Sequence, residues 1–521
     1  MSRAPRVSTD SAPSPHPPGA DPRRWWGLVV IALAQLMVVL DATIVNIALP
    51  SAQHELGMSD TNRQWVITAY SLAFGGLLLL GGRIADLVGR KSTFVIGLVG
   101  FAGASALGGA AHASGLLFAA RALQGAFGAV LAPAALSLLT TTFTDVKERG
   151  KAFGIYGALA GGGAAIGLIA GGLLTEYLDW RWCLYVNVPV ALVAVLGAVW
   201  LLRDHRPARD ARPRLDLPGV VLGCGGLVAI VYGCSEAEPR GWGDPFVLAL
   251  LCGGVALLAA FAWWQNRVRS PLLPLHIIRE RNRGGAITVM ALAVVGMFGM
   301  FLFMTYYMQV VLGYSPLRTG LAFLPMTGAI VFSSTQISAR LLKRLPPRLL
   351  ITPGALVAAG GLFLLTFLTV EPAFVTHVLP AELLVGTGMG LIFMPVIDVA
   401  TSGIDPRDAG VASATVNTAQ QVGGSIGTAL LNTIATSAGT GYIAARLRTA
   451  AATGGFGPSV QERIAKEGVV HGFGVAIAWG AGIMLLAAVV GWTMVTARAP
   501  GRPPADPDRA PAYDPHRMRA V

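Results

Sequence analysis

Long apolar runs separated by short polar connections dominate the chain. A run that crosses a bilayer needs roughly 20 residues at about 1.5 Å per residue, and about fourteen such runs are present. Their approximate bounds are residues 26–49, 63–81, 92–110, 115–140, 150–174, 182–202, 217–235, 246–265, 286–311, 318–340, 349–369, 380–402, 409–437 and 472–495. The pattern predicts an all-α integral membrane protein with about fourteen transmembrane helices.

The composition agrees with this pattern. Hydrophobic residues make up 54% of the 521 residues and charged residues only 13%, whereas a soluble domain carries roughly 25% charged residues. The 65 glycines are typical of membrane helices that approach one another closely. A soluble globular protein is therefore excluded.

The net charge of +12 is explained by the positions of the basic residues. They cluster in every second connection, for example Arg83, Arg90 and Lys91, while the opposite connections hold few. This asymmetry predicts a multi-pass protein of the plasma membrane with both termini in the cytoplasm, and it argues against nucleic-acid binding. The mixed-charge segment 439–471 is predicted to be a long external loop.

A faint internal repeat suggests the organisation of the chain. The Gly-rich stretch Gly161–Gly167 in the fifth run resembles Gln421–Gly427 in the thirteenth. If runs seven and eight are an insertion, two six-helix bundles remain, with a site between them. The predicted parts are a disordered cytoplasmic tail at 1–24, an N-terminal bundle at 25–203, a linker with two helices at 204–284, a C-terminal bundle at 285–497 and a disordered cytoplasmic tail at 498–521.

Asp41 lies inside the first apolar run, at hydrocarbon depth. A carboxylate there costs a few kcal/mol, so it is expected to face the protein interior or a wet cavity and to be functional. Because desolvation disfavours its charged form, Asp41 is a candidate proton carrier. The alternative is a polar residue satisfied by a neighbouring helix.

A decapeptide between the second and third runs carries the next motif. Gly82, Asp86, Gly89, Arg90 and Lys91 stand at spacings that permit a tight turn and a charge network near the membrane. Such a network would have to break when two bundles move, which makes it a candidate gating loop. The alternative is a basic loop that serves only to set topology.

This decapeptide resembles the loop motif of the major facilitator superfamily, G-x-L-A-D-x-x-G-R-K, with Ile84 at the usual Leu position. Arg121, Gln124 and Gly125 resemble its fourth-helix motif R-x-x-Q-G. The stretch Leu40–Pro50 resembles the L-D-x-T-I-V-N-x-A-L-P signature of the 14-helix drug:proton antiporters of the QacA and EmrB type, and Trp180–Pro189 is also similar to that group. The resemblance implies the two-bundle fold and proton-coupled drug export.

One departure concerns the antiporter motif G-x-x-x-G-P-x-x-G-G of the fifth helix. Gly163, Gly167, Gly171 and Gly172 match it, but Leu168 replaces the proline. Proline would bend the helix, whereas Leu168 leaves it straighter. Since the resemblance links this motif to export, the direction of transport is left open.

Arg121 is the second charge inside the membrane. Counted from the outer helix ends, Asp41 lies roughly 12 Å deep and Arg121 roughly 9 Å deep at 1.5 Å per residue. We hypothesise that Arg121 favours the charged form of Asp41 in one conformation and withdraws in the other, which links protonation to movement. A purely structural role, with Arg121 bonded to backbone carbonyls, is the alternative.

Further polar residues are candidates for lining a substrate cavity, although each alone more often stabilises the contact between two helices. Asp398 has a competing interpretation as an interfacial residue, about one helical turn from a loop. The candidates are Gln35, Gln124, Tyr306, Tyr307, Gln309, Asp398, Asn417 and Gln421.

Together these features predict a proton-coupled secondary transporter that exports amphipathic or cationic drugs by alternating access. The chain has no G-x-x-x-x-G-K-[ST] phosphate loop, so we expect the proton gradient to drive it, without a cofactor or metal. The expected partners are a small-molecule substrate, protons and the lipid bilayer; the oligomeric state is open, and a monomer is plausible. A facilitator or symporter for a metabolite is the alternative, while scattered histidines argue against a membrane enzyme.

Overall fold

The computed structural model describes residues 24–60, 62–143, 146–202, 216–268, 271–273, 275–371, 374–401, 409–452 and 458–497. These residues form helices and short connections, with no strand among them. We call the end of the molecule at which the first helix finishes the outer end, following the predicted topology, and the opposite end the inner end.

The helices of the N-terminal half follow the predicted runs. The sixth run is divided into a single turn and a longer helix, because the backbone is interrupted at Val186. The helices are α1 (Arg24–Leu56), α2 (Trp65–Val88), α3 (Arg90–Gly109), α4 (Ser114–Thr142), α5 (Val146–Tyr177), α6 (Trp182–Tyr185) and α7 (Asn187–Leu201).

The remaining helices form an inserted pair and a C-terminal half, which differs from the N-terminal half in containing π-helical segments. The α-helices are α8 (Leu217–Arg240), α9 (Pro245–Gln265), α10 (Leu275–Arg279), α11 (Arg281–Tyr306), α12 (Pro316–Ala322), α13 (Leu324–Phe332), α14 (Ala339–Leu341), α15 (Arg348–Leu365), α16 (Leu379–Thr401), α17 (Ala409–Ala452) and α18 (Pro458–Met494). The π segments are Tyr307–Val311, Ser333–Ser338 and Phe374–Val378.

The protein is an all-α integral membrane protein. Within the described residues, 11 helical spans are long and apolar enough to cross a bilayer, and the shorter apolar helices Trp65–Leu78 and Gly163–Tyr177 add to them. Helices α1–α7 pack into one bundle and α11–α18 into a second. These helices are compatible with the predicted number of fourteen.

Glycines set the closest helix contacts in the N-terminal bundle. A Cβ atom at Gly125 of α4 would collide with the backbone oxygen of Tyr70 in α2, and one at Gly81 of α2 would collide with the backbone oxygen of Ala129 in α4. In a bilayer, the burial of apolar side chains does not drive helices together, because the lipid tails are equally apolar. Such close approach is therefore a main source of helix association. The pairing of α2 with α4 holds Arg121 beside α2.

The inserted pair α8 and α9 packs on both bundles through α8. Gln64 at the start of α2 donates a 2.9 Å hydrogen bond to Ser235 of α8. Thr433 of α17 donates a 2.9 Å bond to the Cys234 carbonyl of α8. Helix α8 therefore covers the junction at which α2 meets α17.

The segment predicted as an external loop at 439–471 differs from that expectation, since its described residues are helical. Helix α17 has 44 residues and is about 66 Å long, far more than the roughly 30 Å of hydrocarbon. Its outer part pairs with α18: the rings of Tyr442 and His471 stack at 4.7 Å, and Gly468 lies against Gly439. An Ala-rich polar sequence lacks the hydropathy that marks a membrane span, so hydropathy alone does not show this extension of the helices.

Candidate functional site

The carboxylate of Asp41 lies at the centre of a buried polar cluster formed by α1, α4 and α7. Asp41 has no exposed surface. Its Oδ2 accepts a 2.6 Å bond from Nη1 of Arg121, and its Oδ1 accepts 2.9 Å bonds from the amides of Gln124 and Asn187. The carboxylate oxygens thus have a guanidinium and two amide groups as hydrogen-bond donors, which compensates for their removal from water.

Arg121 is held from several directions and is 2% exposed. Its Nε donates to the Val66 carbonyl of α2 at 2.9 Å, and its Nη1 donates to Gln124 Oε1 at 2.8 Å. The guanidinium carbon lies 4.4 Å from the ring centre of Tyr70. Both sequence interpretations of Arg121 thus have a structural counterpart, because it pairs with Asp41 and also binds backbone.

Two members of the cluster were not predicted as site residues. Ser105 of α3 accepts a 2.6 Å bond from Gln124 and a 3.3 Å bond from Asn187. Asn187 carried a weak signal as part of the Trp180–Pro189 resemblance, whereas a single serine in an apolar run carries none. Gln124, predicted for the cavity, belongs to this fully buried cluster.

The glycines of the fifth-helix motif bring α5 against α1 beside Asp41. Cβ atoms at Gly163, Gly167 and Gly171 would meet, respectively, Leu36 and Val39, Thr43 and the Leu40 carbonyl, and Ile44. Helix α5 runs unbroken from Val146 to Tyr177, as expected with leucine at 168. The contact places this straight helix next to the turn that carries the carboxylate.

Replacing Gly167 by alanine is expected to impair transport severely. The new Cβ would overlap Thr43 Oγ1 and crowd the Leu40 carbonyl, so α5 must move away from α1. Gly328→Ala in α13 is the matched control, because no atom lies within 4 Å of the added Cβ there and alanine favours helix by about 1 kcal/mol. Transport per folded molecule should fall only in Gly167→Ala; equal rates in both variants would contradict the close contact.

The two bundles contact each other toward the outer end. Gln309 donates a 3.0 Å bond to the Ile47 carbonyl of α1, and Glu176 of α5 accepts a 3.0 Å bond from the Leu317 backbone. A Cβ at Gly172 would lie 2.5 Å from the Leu317 Cα atom. The fifth-helix glycines therefore face two partners, α1 within the bundle and α12 across the interface.

A polar group at the same end, which we call the outer latch, consists of Asp60, Arg63, Tyr306 and Asn432. Arg63 is 6% exposed and donates to Asp60 at 2.8 Å and to Asn432 Oδ1 at 3.4 Å. Its guanidinium carbon lies 3.9 Å from the ring centre of Tyr306. The latch joins the α1–α2 connection to α11 and α17; of its members only Tyr306 was predicted, and then as a cavity residue.

The predicted gating loop forms the turn between α2 and α3. Gly89 has φ 103°, a conformation that favours glycine, and Arg90 starts α3. Lys91 donates to the Val199 and Leu202 carbonyls at 2.8 and 2.7 Å, which satisfies the end of α7. Gly82 lies in the last turns of α2, and the side chain of Asp86 lies outside the described part of the chain.

The other cavity candidates are not brought together in one place. Gln35 accepts a 2.6 Å bond from Tyr156 between α1 and α5. Gln421 lies against Gly75 where α17 meets α2. Asn417 is exposed, and Asp398 is half-buried near the inner end of α16.

Tyr307 points into the C-terminal bundle, where its hydroxyl donates to the Thr369 carbonyl at 2.9 Å. Among the described residues, no cluster of three or more His, Cys, Asp or Glu side chains is suited to a metal ion.

The chain is similar in sequence to a known family and to known proteins. Residues 31–428 match the Major Facilitator Superfamily. Over 500 residues the chain is 56% identical to the puromycin resistance protein pur8 of Streptomyces alboniger, covering 96% of each chain. It is 39% identical over 414 residues to the cephamycin export protein CmcT of Amycolatopsis lactamdurans, covering 79% of this chain and 85% of that protein.

Solved structures share the fold at low sequence identity. A bacterial homologue of the human lysosomal transporter Spinster, in an inward-facing and unoccupied conformation, aligns with a TM-score of 0.62 at 17% identity, covering 92% of this chain and 100% of that chain. An auto-inhibited peptide transporter of the POT family aligns with a TM-score of 0.63, also at 17% identity, over 93% and 99%.

Proposed function

Because the chain belongs to the major facilitator superfamily, we propose that it exports antibiotics across the plasma membrane in exchange for protons. The observation that carries this proposal is the full-length similarity to an antibiotic resistance protein, at 56% identity. The similarity to an antibiotic export protein points in the same direction. The substrates we propose are amphipathic or cationic organic compounds.

The buried cluster around Asp41 supports proton coupling. The Arg121 guanidinium lies 2.6 Å from the Asp41 carboxylate, and separation of the pair would leave a buried carboxylate without its cation, a situation that favours proton uptake. A change in the packing of α1, α4 and α7 is therefore linked to protonation of Asp41. We propose that protons enter from outside, neutralise Asp41 and leave to the cytoplasm.

The contacts between bundles support alternating access. Two of them lie toward the outer end, where Gln309 meets the Ile47 carbonyl and Arg63 meets Asn432. Opening toward the outside must break them, so they separate two states of the transporter.

The topology with both termini in the cytoplasm remains part of the proposal. Its support is the charge asymmetry of the connections. Among the described residues, Lys343 and Arg344 lie in an inner connection, and Glu176 and Asp179 lie at the outer end. Labelling of single cysteines at these positions in intact cells with an impermeant reagent should modify only the outer pair.

A symporter for a metabolite is the second candidate, and the unbroken α5 favours it. Helix α5 continues through Leu168, where the antiporter motif has proline. The two candidates differ in the direction of substrate flow. Uptake that rises with an inward proton gradient would select the symporter.

Proteoliposomes that contain the purified protein test the proposal. With an imposed pH gradient, a panel of puromycin, a cephamycin, tetracenomycin C and unrelated cationic dyes would be added while the internal pH is recorded. We expect at least one antibiotic to dissipate the gradient and to accumulate against its own gradient. If no member moves protons, or if transport persists without a gradient, proton-coupled antibiotic export is wrong.

A further inference from the structure

Glu382, in the first turn of α16, is a buried acid that the cluster around Asp41 does not include. The side chain has no exposed surface. Within the residues that the structure describes, neither Oε1 nor Oε2 has a hydrogen-bond partner. Buried polar groups are nearly always paired, so an unpaired carboxyl inside a membrane protein calls for a specific role.

Glu382 lies within the membrane span rather than at its surface. The span begins at Phe374 and continues to Thr401, so Glu382 is about 12 Å along it at 1.5 Å per residue.

The surroundings of Glu382 are apolar. Its neighbours in sequence Val378, Ala381 and Val385 are fully buried in the hydrophobic core. Gly386, one turn further along α16, faces the Met326 carbonyl of α13. Ala381, which directly precedes Glu382, faces Gly361 of α15. Such a medium cannot solvate an unpaired carboxylate, so the group is neutral in this arrangement.

The titratable and charged groups on the elements packed against α16 do not provide a partner for the Glu382 carboxyl group. Helix α13 and the segment Ser333–Ser338 carry none, and the basic residues of α11 and α15 stand in their first turns, at the inner end. Tyr307 donates its proton to the Thr369 carbonyl. The titratable and charged groups on the elements packed against α16, on α17 and on α16 itself, apart from Glu382, are Arg281, Arg283, Tyr306, Tyr307, Arg348, His377, Asp398, Tyr442, Arg446 and Arg448.

The helices around Glu382 have interrupted hydrogen-bond ladders. A π segment, Phe374–Val378, directly precedes α16. Two further π segments, Tyr307–Val311 and Ser333–Ser338, continue α11 and α13, and both of these helices pack on α16. Because π segments recur at functional sites and interrupt regular helices, these are places where packing can change.

We propose that Glu382 is a second proton-carrying site, located in the C-terminal bundle. The proposal rests on the proposed function and extends it, since it adds a proton to each transport cycle. The Glu382 carboxylate takes a proton from external water when the outer end is open, and holds it as a neutral acid when that end is closed. The proton then passes from the carboxyl oxygen to water that enters from the inner end, which regenerates the carboxylate.

The first test measures the proton itself, without a substrate. Infrared difference spectra of the purified full-length protein in lipid nanodiscs are recorded while the pH is raised. We expect a carboxylic-acid C=O band that is absent in Glu382→Gln and retained in Glu371→Gln, an exposed acid of the same bundle. If Glu382→Gln removes no such intensity, Glu382 does not release a proton over this pH range and the proposal is wrong.

The second test counts protons in proteoliposomes. The pH gradient at which net antibiotic flux stops gives the number of protons exchanged per substrate. We expect this number to fall by one in Glu382→Gln, to remain unchanged in Glu371→Gln and to be retained in Glu382→Asp. An unchanged number in Glu382→Gln would mean that the proton is held but not exchanged, which overturns the proposal. If the native protein moves no substrate, the proposed function fails instead, and the infrared band still reports on Glu382.

Discussion

The Asp41→Asn variant is expected to lose proton movement down to the level of protein-free vesicles, because the transport cycle depends on protonation of Asp41 and stops before Glu382 can exchange its proton. Asparagine has nearly the shape of aspartate and can accept the bonds of Gln124 and Asn187, but it cannot exchange a proton. It also leaves Arg121 buried without its anion, and removing one partner of a buried pair costs about 3 kcal/mol or more. Substrate-driven pH changes and thermal unfolding in detergent measure the two effects separately.

A double variant separates lost coupling from lost stability. In Asp41→Asn combined with Arg121→Gln, neither residue carries a buried charge, so we expect most of the unfolding free energy to be recovered while proton movement stays absent. Glu462→Gln, an acid with a side chain 70% exposed on α18, should behave like the native protein. Proton-coupled transport by either Asp41 variant would show that Asp41 is structural.

Arg63→Ala is expected to shift the protein strongly toward the state with an open outer end. The change removes the bonds to Asp60 and Asn432 and the contact with the Tyr306 ring. Truncating a buried charged partner costs roughly 2–5 kcal/mol, and about 2 kcal/mol corresponds to a roughly 30-fold change in the ratio of closed to open molecules. Spin labels at the exposed positions Ser59 and Thr440 should report longer distances by electron resonance.

Tyr306→Phe is the matched control for the outer latch. It keeps the ring beneath Arg63 and removes a hydroxyl that has no partner among the described residues, so the label distances should not change. Identical distances in Arg63→Ala and the native protein would show that the latch does not hold the outer end closed.

The fold could be predicted because the bilayer imposes simple constraints on the sequence of a helix that crosses it. Each helix must satisfy its own backbone in lipid, so the length of the apolar runs was sufficient to place most helices within a few residues. The outer part of α17 could not be predicted in this way, since Ala-rich polar helices outside the bilayer lack a hydropathy signal. The π segments also carried no pattern that distinguishes them from α-helix.

The candidate site was predictable where a charged residue stands deep inside an apolar run. Asp41 and Arg121 stood out because charges in apolar runs are costly, and their similar depth anticipated their contact at 2.6 Å. Asn187 and Ser105 were missed because single neutral polar residues are ordinary in membrane helices. Glu382 was missed because its apolar run was counted from residue 380, which made it resemble an interfacial acid, whereas the span begins at Phe374.

The position of α8 has a consequence for how the molecule moves. Ser235 holds α8 to the N-terminal bundle through Gln64, while the neighbouring Cys234 carbonyl holds it to the C-terminal bundle through Thr433. Two bodies that swing apart cannot both remain attached to one rigid rod. The inserted pair must therefore travel with one bundle and slide along the other in every cycle, so one of these two hydrogen bonds has to break each time the bundles separate.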